Sequence, residues 1–287
     1  MRRVLVGLDR SEISQGLVEA LPALRSWGVE ELILACVAPV SPVPLIHRRD
    51  GTQGVGEMLV RAHSRLAPPF RIVLAMGSGN IAEFLCAESR ARGADAIVMG
   101  SSRRNRLLEA VSGSVVAEVL RLARIPILLF PHEAILNQRR RGPLDPISTR
   151  ILAPTDFSPV ANRALARGAE LAREEGLPLT LLHVMEGEGQ GNEDEVRGHL
   201  ESMAADLRSE GLAEVSVLVG KGEPWEEIVR LAHSRYDTLV VMGTQGRGWI
   251  PEIILGNQSR EVVRHIELPV LLVPDGGAGH ADSDGHG

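Results

Sequence analysis

The sequence predicts an α/β fold made of two tandem, doubly wound domains, each a five-stranded parallel sheet with strand order 3-2-1-4-5. Three observations lead there. Apolar runs of strand length alternate with longer amphipathic stretches, the pattern of strands joined by crossover helices. The whole alternation occurs twice within 287 residues. The two occurrences also keep one register: Gly77, Gly79, Met99, Gly100, Gly113, Glu118, Val119, Arg121, Pro126, Leu128, Leu129 and Pro131 return, each 143 positions later, as Gly220, Gly222, Met242, Gly243, Gly256, Glu261, Val262, Arg264, Pro269, Leu271, Leu272 and Pro274. So long a register marks a duplication, and each copy is large enough to bury its own core.

In the first copy the unbroken apolar run Val4 to Leu8 is a strand, and a helical pattern follows over about 11–26. A strand near 31–37, a helix near 55–66, a strand near 70–76 and a helix near 80–92 come next, then a strand near 95–99, a helix near 113–123 and a last strand near 126–130. The second copy repeats this with strands near 150–155, 178–184, 213–219, 238–242 and 269–273, and helices near 159–175, 193–210, 224–235 and 256–266. Ser11 and Ser158 are read as N-caps, because a hydroxyl accepts from orphan N–H groups, and Pro159 suits a first helical turn. Glu223-Pro224-Trp225-Glu226 starts a helix with acidic first-turn residues. Right-handed crossovers then leave few strand orders open. The domains are expected at 1–131 and 150–274. Between them, 132–149 carries Gln138-Arg-Arg-Arg141, Gly142-Pro143 and Asp145-Pro146 and reads as a polar, helix-breaking linker. The Gly-, Ala-, Asp- and His-rich tail 275–287 reads as disordered. The fifth strands, short and apolar, are expected to pair with each other and cover both open edges.

Composition narrows the function. A hydrophobic content of 44% with 24% charged residues fits a globular protein. No apolar run approaches the about 18 residues of a membrane span, and Met1-Arg-Arg leads into a strand instead of a secretory signal, so the expected location is the cytoplasm, with no membrane partner. A formal charge of −6 and 3% aromatics argue against a nucleic-acid platform. Cys36 and Cys86 have no metal-ligand spacing and are read as reduced core residues.

The chemistry lies at strand ends. Gly243-Thr-Gln-Gly246, followed by Gly256-Asn-Gln-Ser259, joins an apolar strand to a helix. Glycines at such a junction let backbone N–H groups approach an anion, and the helix N-terminus adds partial positive charge. Asp9 and Asp156 end the first strands. With strand order 3-2-1-4-5, the first and fourth strands are neighbours at the switch point, where ligands bind in such sheets. Asp156 then faces the loop from Gly243 to Ser259 across one crevice, a carboxylate on one lip and N–H groups on the other. A nucleotide satisfies both. Gly246-Arg247 is not followed by the Lys-Ser/Thr of a P-loop, and no nucleophile, His and carboxylate stand at a hydrolase spacing.

On these residues the chain resembles the universal stress protein family in its tandem-domain form, over nearly all of residues 2 to 274. The family signature is Gly, two residues, Gly, nine residues, Gly, then Ser or Thr, in a domain that opens with a strand and Asp-x-Ser. The resemblance implies binding of ATP or a related adenine nucleotide, with Mg²⁺ or Mn²⁺ through the phosphates, little or slow turnover, and a role in stress survival. It assigns the site to Asp156, Val184, Met242, Gly243, Gly246, Gly256, Gln258 and Ser259, with Thr155 as a further lining residue. Asn257 departs from the usual Ser or Thr but keeps a donor. Arg247 either reaches phosphate or faces solvent. In the first copy Asp9, Val37, Gly100, Gly113 and Ser114 match, whereas Arg103 replaces the second glycine and Val116 stands where the second hydroxyl belongs. Arg103 adds a side chain where the backbone must approach phosphate, although an arginine could also clamp phosphate itself. Weakened binding in the first copy is expected. His183 is read as a core or crevice-rim residue; Trp249 and Ile250 either shield a ligand or pack. The competing functions are an ATP-hydrolysing or adenylating enzyme of the same fold and an interaction scaffold with relic glycines. A homodimer of chains is the expected further assembly.

Overall fold

The computed structural model describes residues 1–9, 11–38, 51–66, 68–101, 115–142, 145–146, 148–187, 192–234, 238–245 and 255–275, residues 51–55 by backbone alone. The first half runs β1 (Arg3–Leu8), α1 (Glu12–Ala20), β2 (Glu31–Ala38), α2 (Gly51–Leu66), β3 (Arg71–Ser78), α3 (Ile81–Ala91), β4 (Ala96–Ser101), α4 (Val115–Leu122), β5 (Ile127–Pro131) and α5 (His132–Arg141). The second runs β6 (Arg150–Pro154), α6 (Pro159–Glu175), β7 (Leu179–Met185), α7 (Glu193–Ser209), β8 (Val215–Lys221), α8 (Pro224–His233), β9 (Thr238–Gly243), α9 (Asn257–His265) and β10 (Val270–Val273).

The ten strands of the described residues form one sheet in the order β3-β2-β1-β4-β5-β10-β9-β6-β7-β8, which is the 3-2-1-4-5 order of each half joined back to back. Every pairing is parallel except the central one. There β10 runs antiparallel to β5, with Val270, Leu271 and Leu272 opposite Leu129, Leu128 and Ile127. The expected pairing of fifth strands is therefore observed. Alternation along the strands builds two core layers, because successive side chains point to opposite faces. Val4, Val6, Leu128 and Leu271 lie under α1, α2, α5, α6 and α7, while Leu5, Leu129 and Val270 lie under α3, α4, α8 and α9. Both layers run unbroken through the seam. Among the described residues no helix is long and apolar enough to cross a membrane. Cys36 and Cys86 are buried free thiols, and burial pushes both above the usual thiol range.

Two sequence expectations change. The pattern over 11–26 is not one α-helix: α1 stops at Ala20 and Leu21–Trp27 continues as a tighter 3-10 segment. Pro22 is the cause, since it has no N–H for an α-helical bond and its ring crowds the preceding turn. The stretch 132–149 is not all linker, because its first part is α5. Ala134, Ile135 and Gln138 bury one face of that helix, Ile135 presses on α1 at Gly16, and Arg139 Nε meets Glu19 Oε2 at 2.6 Å. Gln138 Nε2 then donates to the carbonyls of Gly142 at 2.9 Å and Asp145 at 2.8 Å, closing the turn after the helix. A helix with so few apolar positions is hidden from a periodicity reading by its run of arginines. The tail from 276 onward lies outside the described residues.

Leu271 is fully buried on the seam opposite Leu128. Leu271→Ala should lower unfolding free energy by about 2–5 kcal/mol in equilibrium denaturation; a loss below about 1 kcal/mol would show that the seam lies outside the cooperative core.

Candidate functional site

Strand pairing itself opens the crevice. β1 pairs with β2 along its whole length, from Arg3 to Leu8, but with β4 only from Val4 to Val6. Likewise β6 pairs with β9 only over Arg150, Ile151 and Leu152, although β9 stays paired with β10 out to Gly243. The carboxyl ends of the first and fourth strands thus part in each half while their outer neighbours hold them. This is the switch point at which ligands enter such sheets.

One lip of the second crevice is the base of the glycine loop. A Cβ on Gly243 would stand 2.7 Å from Val160 Cγ1 and 3.1 Å from the Gln245 carbonyl, so only glycine lets α6 approach the end of β9. Thr244 is buried; its N–H donates to the Val273 carbonyl at 3.0 Å and its carbonyl accepts from Gly256 N–H at 2.8 Å. Ser259, also buried, donates its hydroxyl to the Gly243 carbonyl at 2.9 Å. These bonds pin the loop at its neck and start α9 there. Asn257, Gln258 and Ser259 are the first helical positions, where N–H groups have no intrahelical acceptor and the helix end carries partial positive charge.

Their side chains are engaged within the fold. Gln258 Oε1 accepts from Trp225 N–H at 3.0 Å and its Nε2 donates to Glu223 at 2.9 Å, which ties α9 to the start of α8. Asn257 accepts from Arg260. An anion at this helix end would therefore be met chiefly by main chain. Met242 has its side chain in the core, so it too would contribute through main chain. Gly246, Arg247, Trp249 and Ile250 lie outside the described residues.

The other lip is the turn after β6. Thr155 Oγ1 accepts from Phe157 N–H at 3.0 Å, Asp156 Oδ1 from Ser158 N–H at 3.0 Å, and Ser158 Oγ from Ala161 N–H at 3.2 Å. Ser158 is thus the N-cap of α6, as its sequence position suggested. Phe157, between Asp156 and its donor, has φ +63°, the one positive value at a non-glycine among the described residues. A backbone of that kind costs of order 1–3 kcal/mol and persists only where its surroundings impose it. The surroundings are two histidines: His183 stacks on the Phe157 ring at 4.6 Å and 22°, and His199 meets it edge-on at 4.6 Å. His183 Nδ1 also lies 2.8 Å from the Thr155 carbonyl. Val184, half-buried, follows on β7 in register with Gly220.

The first half has a different chemistry at these positions. Asp9 Oδ1 accepts from Ser11 N–H at 2.9 Å, from the Ser11 hydroxyl, and from Ser14 Oγ at 2.6 Å. Burial works to raise the Asp9 pKa, but these donors together outweigh it and hold the carboxyl below its ordinary value. Ser14, which the sequence reading missed, has Ala161 as its counterpart, third after the cap. Gly100 is crowded as Gly243 is, a Cβ there lying 2.4 Å from Ile13 Cγ2. Val37 pairs with Gly77, and Val116, in place of Ser259, packs against the core. Arg103, Gly113 and Ser114 lie outside the described residues.

A family model described as the universal stress protein family matches residues 1–131 and 148–274. The chain belongs to this family. A universal stress protein of Thermus aquaticus, encoded beside a QAH/OAS sulfhydrylase, is 35% identical over 134 residues, covering 43% of this chain and 96% of its own. The Mycobacterium tuberculosis universal stress protein Rv2005c is 29% identical over 192 residues, 62% of this chain and 61% of its own. A solved universal stress protein from Archaeoglobus fulgidus superposes with a TM-score of 0.75 at 25% identity, covering 95% of this chain and 96% of that one. The tandem, doubly wound architecture is thus a family architecture.

Because its folded-state pKa is depressed, Asp9 contributes stability that is complete above the ordinary aspartate value of about 3.9 and is lost as pH falls through the lower folded value. Ser14→Ala removes one of the donors, so carboxyl-detected NMR titration should find the Asp9 pKa raised. An unchanged pKa would mean that Ser11 and the main chain alone hold the charge.

Proposed function

We propose that this universal stress protein binds one adenine nucleotide, ATP by preference, in the crevice of its second half. The observation that carries the reading is the parting of β6 and β9 between two unlike lips. One offers a carboxylate, Asp156, beside Thr155 and Val184, suited to the donors of a base or sugar. The other offers the neck of the glycine loop and the N-terminal N–H groups of α9, suited to phosphate. The residues present fit the nucleotide: Gly256 caps α9, Asn257 to Ser259 begin it, and Gly243 lets α6 close on the end of β9. Mg²⁺ or Mn²⁺ would come with the phosphates. Turnover in this reading is slow, and the role is regulatory, in the stress response from which the family takes its name.

The first half supports the asymmetry. Its carboxylate accepts from two hydroxyls, those of Ser11 and Ser14, and it carries Arg103 and Val116 where the second half carries Gly246 and Ser259.

Calorimetry should count one ATP per chain. Gly246→Arg should remove most of the binding, and Asp156→Ala should weaken it at least about tenfold, since a hydrogen bond to a charged group is worth roughly 1.5–3 kcal/mol. Two equal sites, or undiminished binding by the Gly246→Arg protein, would overturn the reading.

A further inference from the structure

His183 belongs to none of the groups assigned to the ligand, yet it bears on the residues that carry one of them. Its Nδ1 lies 2.8 Å from the Thr155 carbonyl. A carbonyl only accepts, so Nδ1 carries a proton in this contact. The same ring lies flat on Phe157, the residue with the unfavourable positive φ. His199 of α7 meets that ring edge-on. The residue before Asp156 is thus held through its carbonyl, and the residue after it through its side chain. A glycine would adopt this backbone without strain; the chain carries a phenylalanine there, with a ring for the histidines to grip.

We propose that His183 is a positioning residue for ligand binding: it clamps the turn on both sides of Asp156 and so sets the direction of the carboxylate into the crevice. The inference rests on the nucleotide reading above. The first half supplies a contrast. In β2, Cys36 is paired with Leu8, the residue before Asp9, and its thiol lies 4.0 Å from the Val37 carbonyl of its own strand. At the position of His183 the first half therefore carries a thiol in place of a ring, and its Asp9 is held instead by Ser11 and Ser14.

A double-mutant cycle tests whether His183 acts through Asp156. His183→Phe keeps a stacking ring and loses the donor. Calorimetry should show ATP affinity reduced about five- to tenfold, in line with one lost hydrogen bond, with a smaller preference for ATP over GTP. His183→Asn, whose carboxamide can donate in place of Nδ1, should stay within about threefold of wild type. In an Asp156→Ala background, His183→Phe should cause little further loss. Should His183→Phe fail to fold, Phe157→Gly, which relieves the positive φ and removes the gripped ring, takes its place in the cycle with the same expected coupling. Equal losses in both backgrounds, or an unchanged ATP-to-GTP ratio, would overturn the positioning role and leave the nucleotide reading standing. Absence of ATP binding by the wild-type chain would overturn both.

Discussion

Three antiparallel residue pairs, Val270 to Leu272 against Leu129 to Ile127, turn two five-stranded sheets into one. Each sheet alone would end in a strand with unpaired backbone groups and two apolar faces, a poor surface to leave in water. Pairing satisfies both requirements together. It also supports the strands next to the seam. β4 stays bonded to β5 as far as Ser101 and Pro131, and β9 to β10 as far as Gly243 and Val273. The fourth strands are therefore held from the seam side where the first strands release them. The crevices follow from this one-sided support.

Within that frame the halves differ by small local substitutions with large chemical meaning. Ser14 gives Asp9 a donor that Ala161 cannot give Asp156. Ser259 ties the start of α9 to the Gly243 carbonyl, a bond that Val116 has no hydroxyl to make. Cys36 and His183 occupy corresponding strand ends, and only the histidine bonds the neighbouring strand. The shared glycines, by contrast, serve packing in both halves: Gly100 accommodates Ile13 as Gly243 accommodates Val160. A glycine kept in both copies thus answers a packing need common to both.

Much of this was legible in the sequence because it repeats. Apolar runs alternating with amphipathic stretches identified the strands in both copies, and the Asp-x-Ser spacing identified both caps, since capping is a local interaction between near neighbours. What escaped depends on distant partners. The helix α5 exists because Ile135 and Gln138 find α1 and the following turn, while its own composition is dominated by arginine. The backbone of Phe157 depends on rings from β7 and α7. Gln258 was assigned to the ligand by motif position, but its side chain binds the start of α8, a contact across 33 residues. The engagement of Asp9 by Ser14 was within reach, as both hydroxyls lie within one turn of the carboxylate.

The docking of α5 has a consequence for how the seam behaves on dilution. With that helix packed on α1, the covalent path to β6 is only the stretch 142–149, so β10 meets β5 at the high effective molarity of a short tether. Two separate chains joined by three residue pairs would come apart as concentration fell, and either copy would be free to drift away or to pair with its like. Here the association is a property of one molecule. The first half thus remains, at any concentration, the buttress that holds β9 from the seam side.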